Sequence, residues 1–212
     1  MIMISLKNKV FTIVILFFFI SCQQQSKQST VRDVSKIRAI GENFRSEGSK
    51  FIFTDYLKAR QLFQQGLDSV LLVVPKNDEL VLRLYHNLGS SYFNEEKYDM
   101  ALVYFDSVRI NQPQPAIMWL QAHNDFKIGK CYYNLGDIDL AKLYLKSAIQ
   151  VAPNYPKSRP IFPFILLEYA ECLRRQGQYK EAIQVSQMAI DSSFMFPERA
   201  LEDSLTYASA YL

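Results

Sequence analysis

Apolar and small residues recur along the chain in stripes that have the spacing of an α-helix. Two such stripes follow each other between residues 85 and 108. The first comprises Tyr85, Leu88, Gly89 and Tyr92, and the second comprises Ala101, Phe105 and Val108. Intervals of three and four residues place each set on one face of a helix. Gly89 and Ala101 lack bulk, so the pattern predicts two antiparallel helices whose backbones approach closely at these residues.

The same pattern returns along the chain with a period of 40 to 42 residues. Ala101, Ala141 and Ala182 occupy its equivalent position, at intervals of 40 and 41 residues. A weaker copy lies upstream, where Ala59 precedes Ala101 by 42 residues. Repetition at this spacing predicts helical hairpins that stack on one another and share a continuous core.

The order of these residues resembles the tetratricopeptide repeat consensus, in which an aromatic residue, Leu-Gly and Tyr precede Ala, Phe and a closing Pro. In the clearest copy the closing residue is Pro113. The resemblance implies an all-α fold, a right-handed α-solenoid of helix-turn-helix repeats with a period of about 40. We expect this solenoid over residues 39–212, with a degenerate repeat at 40–73, repeats at 82–115, 122–155 and 163–196, and a C-terminal helix at 197–212.

The first 21 residues have the pattern of a secretory signal peptide. Two lysines precede residues 10–20, which are apolar apart from one threonine. Eleven helical residues span about 16 Å, roughly half of a bilayer core, which favours a signal peptide over a transmembrane anchor. The sequence Phe19-Ile20-Ser21-Cys22 resembles the bacterial lipoprotein signal, which implies that Cys22 receives lipid. The alternative is an ordinary cysteine at the end of a signal peptide.

Residues 22–38 are expected to comprise the lipidated cysteine and a flexible tether, because residues 23–30 are polar and lack apolar anchors. No Asp directly follows Cys22, and no acidic cluster lies close to it. By resemblance to lipoprotein sorting signals, this implies an outer membrane lipoprotein that faces the periplasm of a bacterial cell envelope.

Charge and composition argue against several partners and chemistries. The formal charge of +3 becomes +1 without residues 1–21, which carry two lysines and no acid, so nucleic acid is not an expected partner. His86 and His123 lack Cys or acidic neighbours at ligand spacing, which argues against a metal site. Cys131 and Cys172 fall at equivalent repeat positions, where we expect small core residues rather than a disulfide. Phosphate-loop and nucleophile-elbow patterns are absent from the sequence, so we expect no enzymatic activity, cofactor or small-molecule substrate.

A binding groove is what the family resemblance implies on the concave side of the solenoid. Carried over by register, the groove positions are Arg83, His86, Phe93, Asn94, His123, Phe126, Lys130, Tyr133, Asn134, Arg174 and Arg175. An Asn side chain can both donate to and accept from a peptide backbone, and the basic residues favour an acidic peptide or a terminal carboxylate. The alternative interpretation is a solvated helix face.

Residues 197–212 carry an apolar stripe of their own, formed by Leu201, Leu205, Ala208 and Leu212. This segment either caps the last repeat or begins a fourth repeat of a longer protein. The leading functional expectation is therefore a lipid-anchored, non-enzymatic scaffold of the cell envelope that recruits a protein or peptide. The alternative is the N-terminal regulatory module of a longer signalling protein, of the sensor kinase or caspase-like protease type.

Overall fold

A computed structural model of the protein describes residues 33–194, which form only helices and the turns between them. The α-helices are α1 (33–49), α2 (Tyr56–Val70), α3 (Glu79–Asn94), α4 (Tyr98–Ile110), α5 (Met118–Leu135), α6 (Ile138–Val151), α7 (Phe162–Arg175) and α8 (Tyr179–Phe194). The expected signal peptide, the lipidation site Cys22 and the expected helix at 197–212 lie outside the described residues.

Helix boundaries follow from capping side chains and from glycines in the turns. Asp55, Asp78 and Asp137 each accept a hydrogen bond from a backbone N–H in the first turn of the helix that follows. Gly136 and Gly177 have φ angles of 88° and 76°, which side-chain-bearing residues rarely adopt. These two glycines end α5 and follow α7, so the chain can reverse within a few residues and form tight hairpins.

Close helix contact within a hairpin depends on residues without bulk. A Cβ atom added to Gly89 would lie 2.6 Å from Cε1 of Phe105, and one added to Gly129 would lie 2.7 Å from Cγ of Leu145. Both distances are shorter than real Cβ contacts allow, so a larger residue would push the helices apart. The close approach predicted from the small residues is therefore a property of the α3–α4 and α5–α6 hairpins.

Successive hairpins stack side by side. Each helix from α2 to α8 packs against the next one along the chain, and α3 also contacts α5, as α5 contacts α7. This second set of contacts places α3, α5 and α7 together on one layer, with α4 and α6 on the other. The described residues thus form an all-helical α-solenoid, which confirms the fold class predicted from the repeat.

The start of the solenoid lies upstream of the expected boundary. Residues 33–38 were predicted to belong to the flexible tether, but they are the first residues of the helical segment α1. Val34 and Ile37 pack against the core that α2 and α3 share. Arg38 donates two hydrogen bonds to the Asp78 carboxylate, at 2.8 and 2.6 Å. Apolar burial and this paired contact explain why the tether prediction was too long by these residues.

Two short 3₁₀ turns, Ala152–Asn154 and Arg159–Ile161, connect α6 to α7. Ser158 lies between them and is fully buried, and its hydroxyl donates to the carbonyl of Ala152. Proline occupies an early position in each turn, which agrees with the irregular connection predicted from the prolines of this segment.

Candidate functional site

A cavity of about 600 Å³ opens on the layer formed by α3, α5 and α7. The α1–α2 turn closes one end, with Ile52 and Phe53 in its wall, and Glu168 of α7 lies at the other end. Because the cavity crosses successive repeats, its lining comes from residues that are far apart in sequence. It is therefore a feature of the stacked array and not of a single hairpin.

Seven of the eleven predicted groove residues line this cavity. They are His86, Phe93, Asn94, His123, Lys130, Tyr133 and Asn134. The remaining four, Arg83, Phe126, Arg174 and Arg175, are not part of its wall. A binding role for the seven lining residues stays a prediction, and the other four are explained by their contacts in the fold.

Phe126 belongs to the core, because only 1% of its surface is exposed. It lies in the same apolar cluster as Ile165 and Cys172 of α7. Arg83 points toward the first repeat, where its guanidinium lies 3.5 Å from the Glu42 carboxylate. The register places these two residues on the inner layer, but the neighbouring helix covers one and the other faces an acid.

Arg174 and Arg175 both pair with Glu171 of their own helix, at 2.6 and 3.8 Å. The hydrogen bond from Arg174 is the main cause that lowers the pKa of Glu171 to about 2. The expected convergence of four basic residues on the concave surface is therefore wrong. Of those four, only Lys130 lines the cavity, and the two arginines of α7 are compensated by a carboxylate.

Asn94 and Asn134 are anchored by the protein itself. The Asn94 amide donates to the backbone carbonyl of Ile52 at 2.9 Å, and the Asn134 amide donates to that of Lys130 at 2.9 Å. Each amide can make further hydrogen bonds, because the group carries two N–H donors and a carbonyl acceptor. The observed bonds fix the orientation of both side chains at the cavity wall.

The two histidines meet in the cavity, with ring centroids 6.3 Å apart. Burial, followed by the nearby His123 and Lys127, lowers the pKa of His86 to about 3. Burial likewise lowers the pKa of His123, and its Nε2 lies 3.1 Å from the carbonyl of Lys157. Both rings are therefore neutral near pH 7. Among residues 33–194 there is no group of three or more His, Cys, Asp or Glu side chains suited to a metal ion.

Two lysines of α5 differ in how their charges are balanced. Both ammonium groups lie over the Phe93 ring, with Lys127 at 4.7 Å and Lys130 at 5.7 Å from its centroid. Lys130 forms an ion pair of 2.6 Å with Glu168. Lys127 makes no ion pair within the described part of the chain, and burial lowers its pKa to about 8. The cavity thus contains one ammonium group that no carboxylate of residues 33–194 neutralises directly.

Lys127 is the cavity residue that the family register did not predict. A signal for it was nevertheless present in the sequence. His123, Lys127, Lys130 and Asn134 follow one another at intervals of four, three and four residues, which is a polar stripe along one face of a helix. The stripe runs along the cavity side of α5.

Cys131 and Cys172 are buried thiols without a disulfide. Burial raises the pKa of Cys131 to about 12 and that of Cys172 to about 11. The reactive thiolate forms are therefore scarce near neutral pH, and both side chains act as small core residues.

Residues 82–108 and 126–155 match one tetratricopeptide repeat model, and residues 165–192 match a second. The chain therefore contains tetratricopeptide repeats, and these three matches fall on the α3–α4, α5–α6 and α7–α8 hairpins. No curated protein matches the chain at a significant level. None of the helices within residues 33–194 has the length and apolar character needed to cross a bilayer.

Solved structures show the same fold at low sequence identity. A Rap protein complexed with Competence and Sporulation Factor is 14% identical with a TM-score of 0.68, over 79% of this chain and 45% of its own. BtubC from P. vanneervenii is 13% identical with a TM-score of 0.65, over 74% of this chain and 65% of its own. MamA is 14% identical with a TM-score of 0.55, over 82% and 94% of the two chains. The chain thus spans less than two thirds of the first two proteins, and these similarities establish the fold alone.

Proposed function

We propose that this protein is a non-enzymatic scaffold that binds a protein or peptide partner in the concave cavity. The single observation that carries the proposal is Lys127, whose ammonium group lies in the cavity without an ion-pair partner among the described residues. A buried or half-buried charge is costly unless a counter-charge accompanies it. A carboxylate supplied by a ligand would remove that cost.

The walls around Lys127 define the rest of the ligand. Phe93, Tyr98 and Tyr133 offer aromatic surface, and the anchored amides of Asn94 and Asn134 offer hydrogen bonds to a peptide backbone. Aromatic and amide groups in alternation are suited to an extended segment rather than to a compact metabolite. The ligand is therefore an acidic peptide, or a segment that ends in a carboxylate, with its anionic group at Lys127.

The fold supports this function by analogy only. One protein of the same fold was solved in complex with Competence and Sporulation Factor, so an array of this kind can hold a binding partner. Tetratricopeptide repeats typically mediate protein interactions without catalysis, in agreement with the two buried, weakly acidic thiols and the neutral histidines of this chain. The identity of the partner has to come from the chemistry of the cavity.

Lys127→Gln should weaken binding of the partner by about tenfold, because a hydrogen bond to a charged group is replaced by a neutral one. The partner is first captured from the native envelope with the full protein, and the affinity of its bound segment is then measured by calorimetry. Binding should also weaken as the pH rises through about 8, where Lys127 loses its proton.

Lys146→Gln is the matched control, because Lys146 lies exposed on α6, away from the cavity. It removes the same charge from the protein and should leave the affinity unchanged. Equal affinities for the parent and Lys127→Gln would show that the partner binds elsewhere. Equal losses for both variants would show a general charge effect instead of an anchor at Lys127.

The same proposal places the scaffold at the inner face of the outer membrane, held by lipid on Cys22. The support is the Phe19-Ile20-Ser21-Cys22 sequence and the polar residues that follow it. The acyl chains of a bacterial lipoprotein each contribute about 0.8 kcal/mol per buried CH₂, which is ample for stable anchoring.

Cys22→Ala should release the protein into the soluble fraction or leave the unprocessed precursor. Membrane fractionation with mass analysis of the N-terminal peptide distinguishes these forms. Membrane retention of the processed Cys22→Ala protein would contradict lipid anchoring, while the binding proposal for the cavity would stand.

A second candidate is a regulatory module within a longer signalling protein. It is favoured by the fold match to the Rap protein, of which this chain spans 45%. The DNA that follows the codon for Leu212 tests it, because an open frame encoding a kinase or protease module would support this candidate.

A further inference from the structure

A second apolar groove, with a volume of about 580 Å³, lies on the outer side of the last described hairpin. Ala170 and Ala182 lie buried in its floor, while Tyr179, Ile183 and Ile190 line it with exposed apolar surface. Ile183 is 71% exposed, which is unusual for an isoleucine on a helix that packs in a solenoid. The groove therefore presents a contiguous apolar face that the described residues do not cover.

The repeat itself shows what normally covers such a face. Phe126 of α5 and Leu167 of α7 are 41 residues apart and hold equivalent positions, yet Phe126 is 1% exposed and Leu167 is 47% exposed. The difference arises because α7 covers Phe126, which lies in the same cluster as Ile165. A residue equivalent to those of α7 is missing above Leu167 among residues 33–194.

The second helix of the hairpin gives the same comparison. Ile149 of α6 and Ile190 of α8 are also 41 residues apart, and Ile149 packs against the cluster shared with α7, whereas Ile190 is exposed. Lys142, the counterpart of Ile183, donates to Gln176 and Gln178 in the turn of the next hairpin. Both helices of the last hairpin thus present the surface on which the preceding hairpin receives its neighbour.

We propose that residues 197–212 of the same chain dock in this groove as a helix, with their apolar stripe toward α7 and α8. Leu201, Leu205, Ala208 and Leu212 recur at intervals of four, three and four residues, which is one helical face. Pro197 suits the first turn of a helix. The inference is independent of the function proposed for the cavity.

The short connection favours this segment over a second copy of the protein. Only Met195 and Phe196 separate Phe194, the last residue of α8, from Pro197. A segment tethered so closely has an effective concentration in the millimolar range at the adjacent surface, far above that of a separate molecule. The tethered stripe therefore occupies the groove first.

Protection of Ile183 from solvent tests the docking. Ile183→Cys is made in the full chain with Cys22→Ser, and its rate of reaction with a thiol reagent is measured. Cys131 and Cys172 are buried and have raised pKa values, so they react slowly. Leu143→Cys on α6 is the matched control, because Leu143 is 62% exposed in the described structure and does not line the groove.

We expect Ile183→Cys to react several-fold more slowly than Leu143→Cys at every protein concentration. Adding Leu201→Asp and Leu205→Asp should abolish this protection, because charged residues oppose burial of the stripe. The same two changes should leave the rate at Leu143→Cys unaltered.

Three results would overturn the proposal. Equal rates at the two cysteines in the parent background would show an open groove. Protection that grows with protein concentration would show that a second copy covers it. Protection that persists with both aspartates would show that residues 197–212 are not the cover.

Discussion

Phe105→Ala should lower the free energy of unfolding by about 3 to 5 kcal/mol, since a fully buried aromatic ring is removed from the core. The ring lies directly against the backbone of Gly89, where no side chain from α3 can move in to fill the space. It also contacts the ring of His86, with centroids 5.4 Å apart. The cavity left by the substitution therefore collapses poorly, and this favours a loss in the upper part of the range.

Urea denaturation measures the effect, with an unchanged slope as evidence that the same surface unfolds. Leu143→Ala is the control, because Leu143 is exposed and its truncation leaves no buried cavity. Each repeat is stabilised mainly by its neighbours, so the loss at Phe105 should lower the midpoint for the whole array. A shift no larger than that of Leu143→Ala would contradict the assigned role of Phe105 in the α3–α4 contact.

The fold could be predicted from the sequence because its main contacts are local and repeated. Gly89 and Phe105 are sixteen residues apart, and their pairing in one hairpin recurs with Gly129 and Leu145. The first helix was harder, since α1 carries Gly41 where a regular repeat has a larger residue. A Cβ on Gly41 would lie 2.3 Å from Val70, so this glycine is required by packing against α2 although it weakens the helical pattern.

The candidate site was less predictable, because a helical register specifies a face but not the partners of each side chain. Arg83 and Arg174 lie on helices of the inner layer, but each faces a carboxylate, Glu42 and Glu171 respectively. Those pairs depend on side-chain rotamers and, for Glu42, on a neighbouring repeat. Lys127 was missed for the opposite reason, because its importance lies in the absence of such a partner within residues 33–194.

The stability of the fold should fall by about 2 to 3 kcal/mol because of His86 when the pH is lowered from 7 to about 4.5. In the folded protein the pKa of His86 is about 3, well below its ordinary value of 6.5. Between these two values the unfolded chain binds a proton at this residue and the folded chain does not. Acid therefore favours unfolding, and the loss begins as the pH falls through 6.5.

The physical cause is the surroundings of the ring. Burial disfavours the charged imidazolium, and His123 and Lys127 add repulsion, while the hydrogen-bonding contact of Nδ1 with Asn124 at 3.4 Å opposes the shift only in part. Carboxylates with lowered pKa values, such as Glu171, lose their contribution mainly below the pH of this comparison.

His86→Gln should reduce the acid-induced loss, because glutamine does not titrate and can still form a hydrogen bond to Asn124. The measurement is the free energy of unfolding of the parent and of the variant at the two pH values. Taking the difference within each protein removes any constant loss from the altered packing against Phe105. His123 also has a lowered pKa, so a smaller dependence should persist in His86→Gln and disappear when His123→Gln is added. Identical losses in the parent and in the double variant would show that both rings are protonated as easily in the folded cavity as in water.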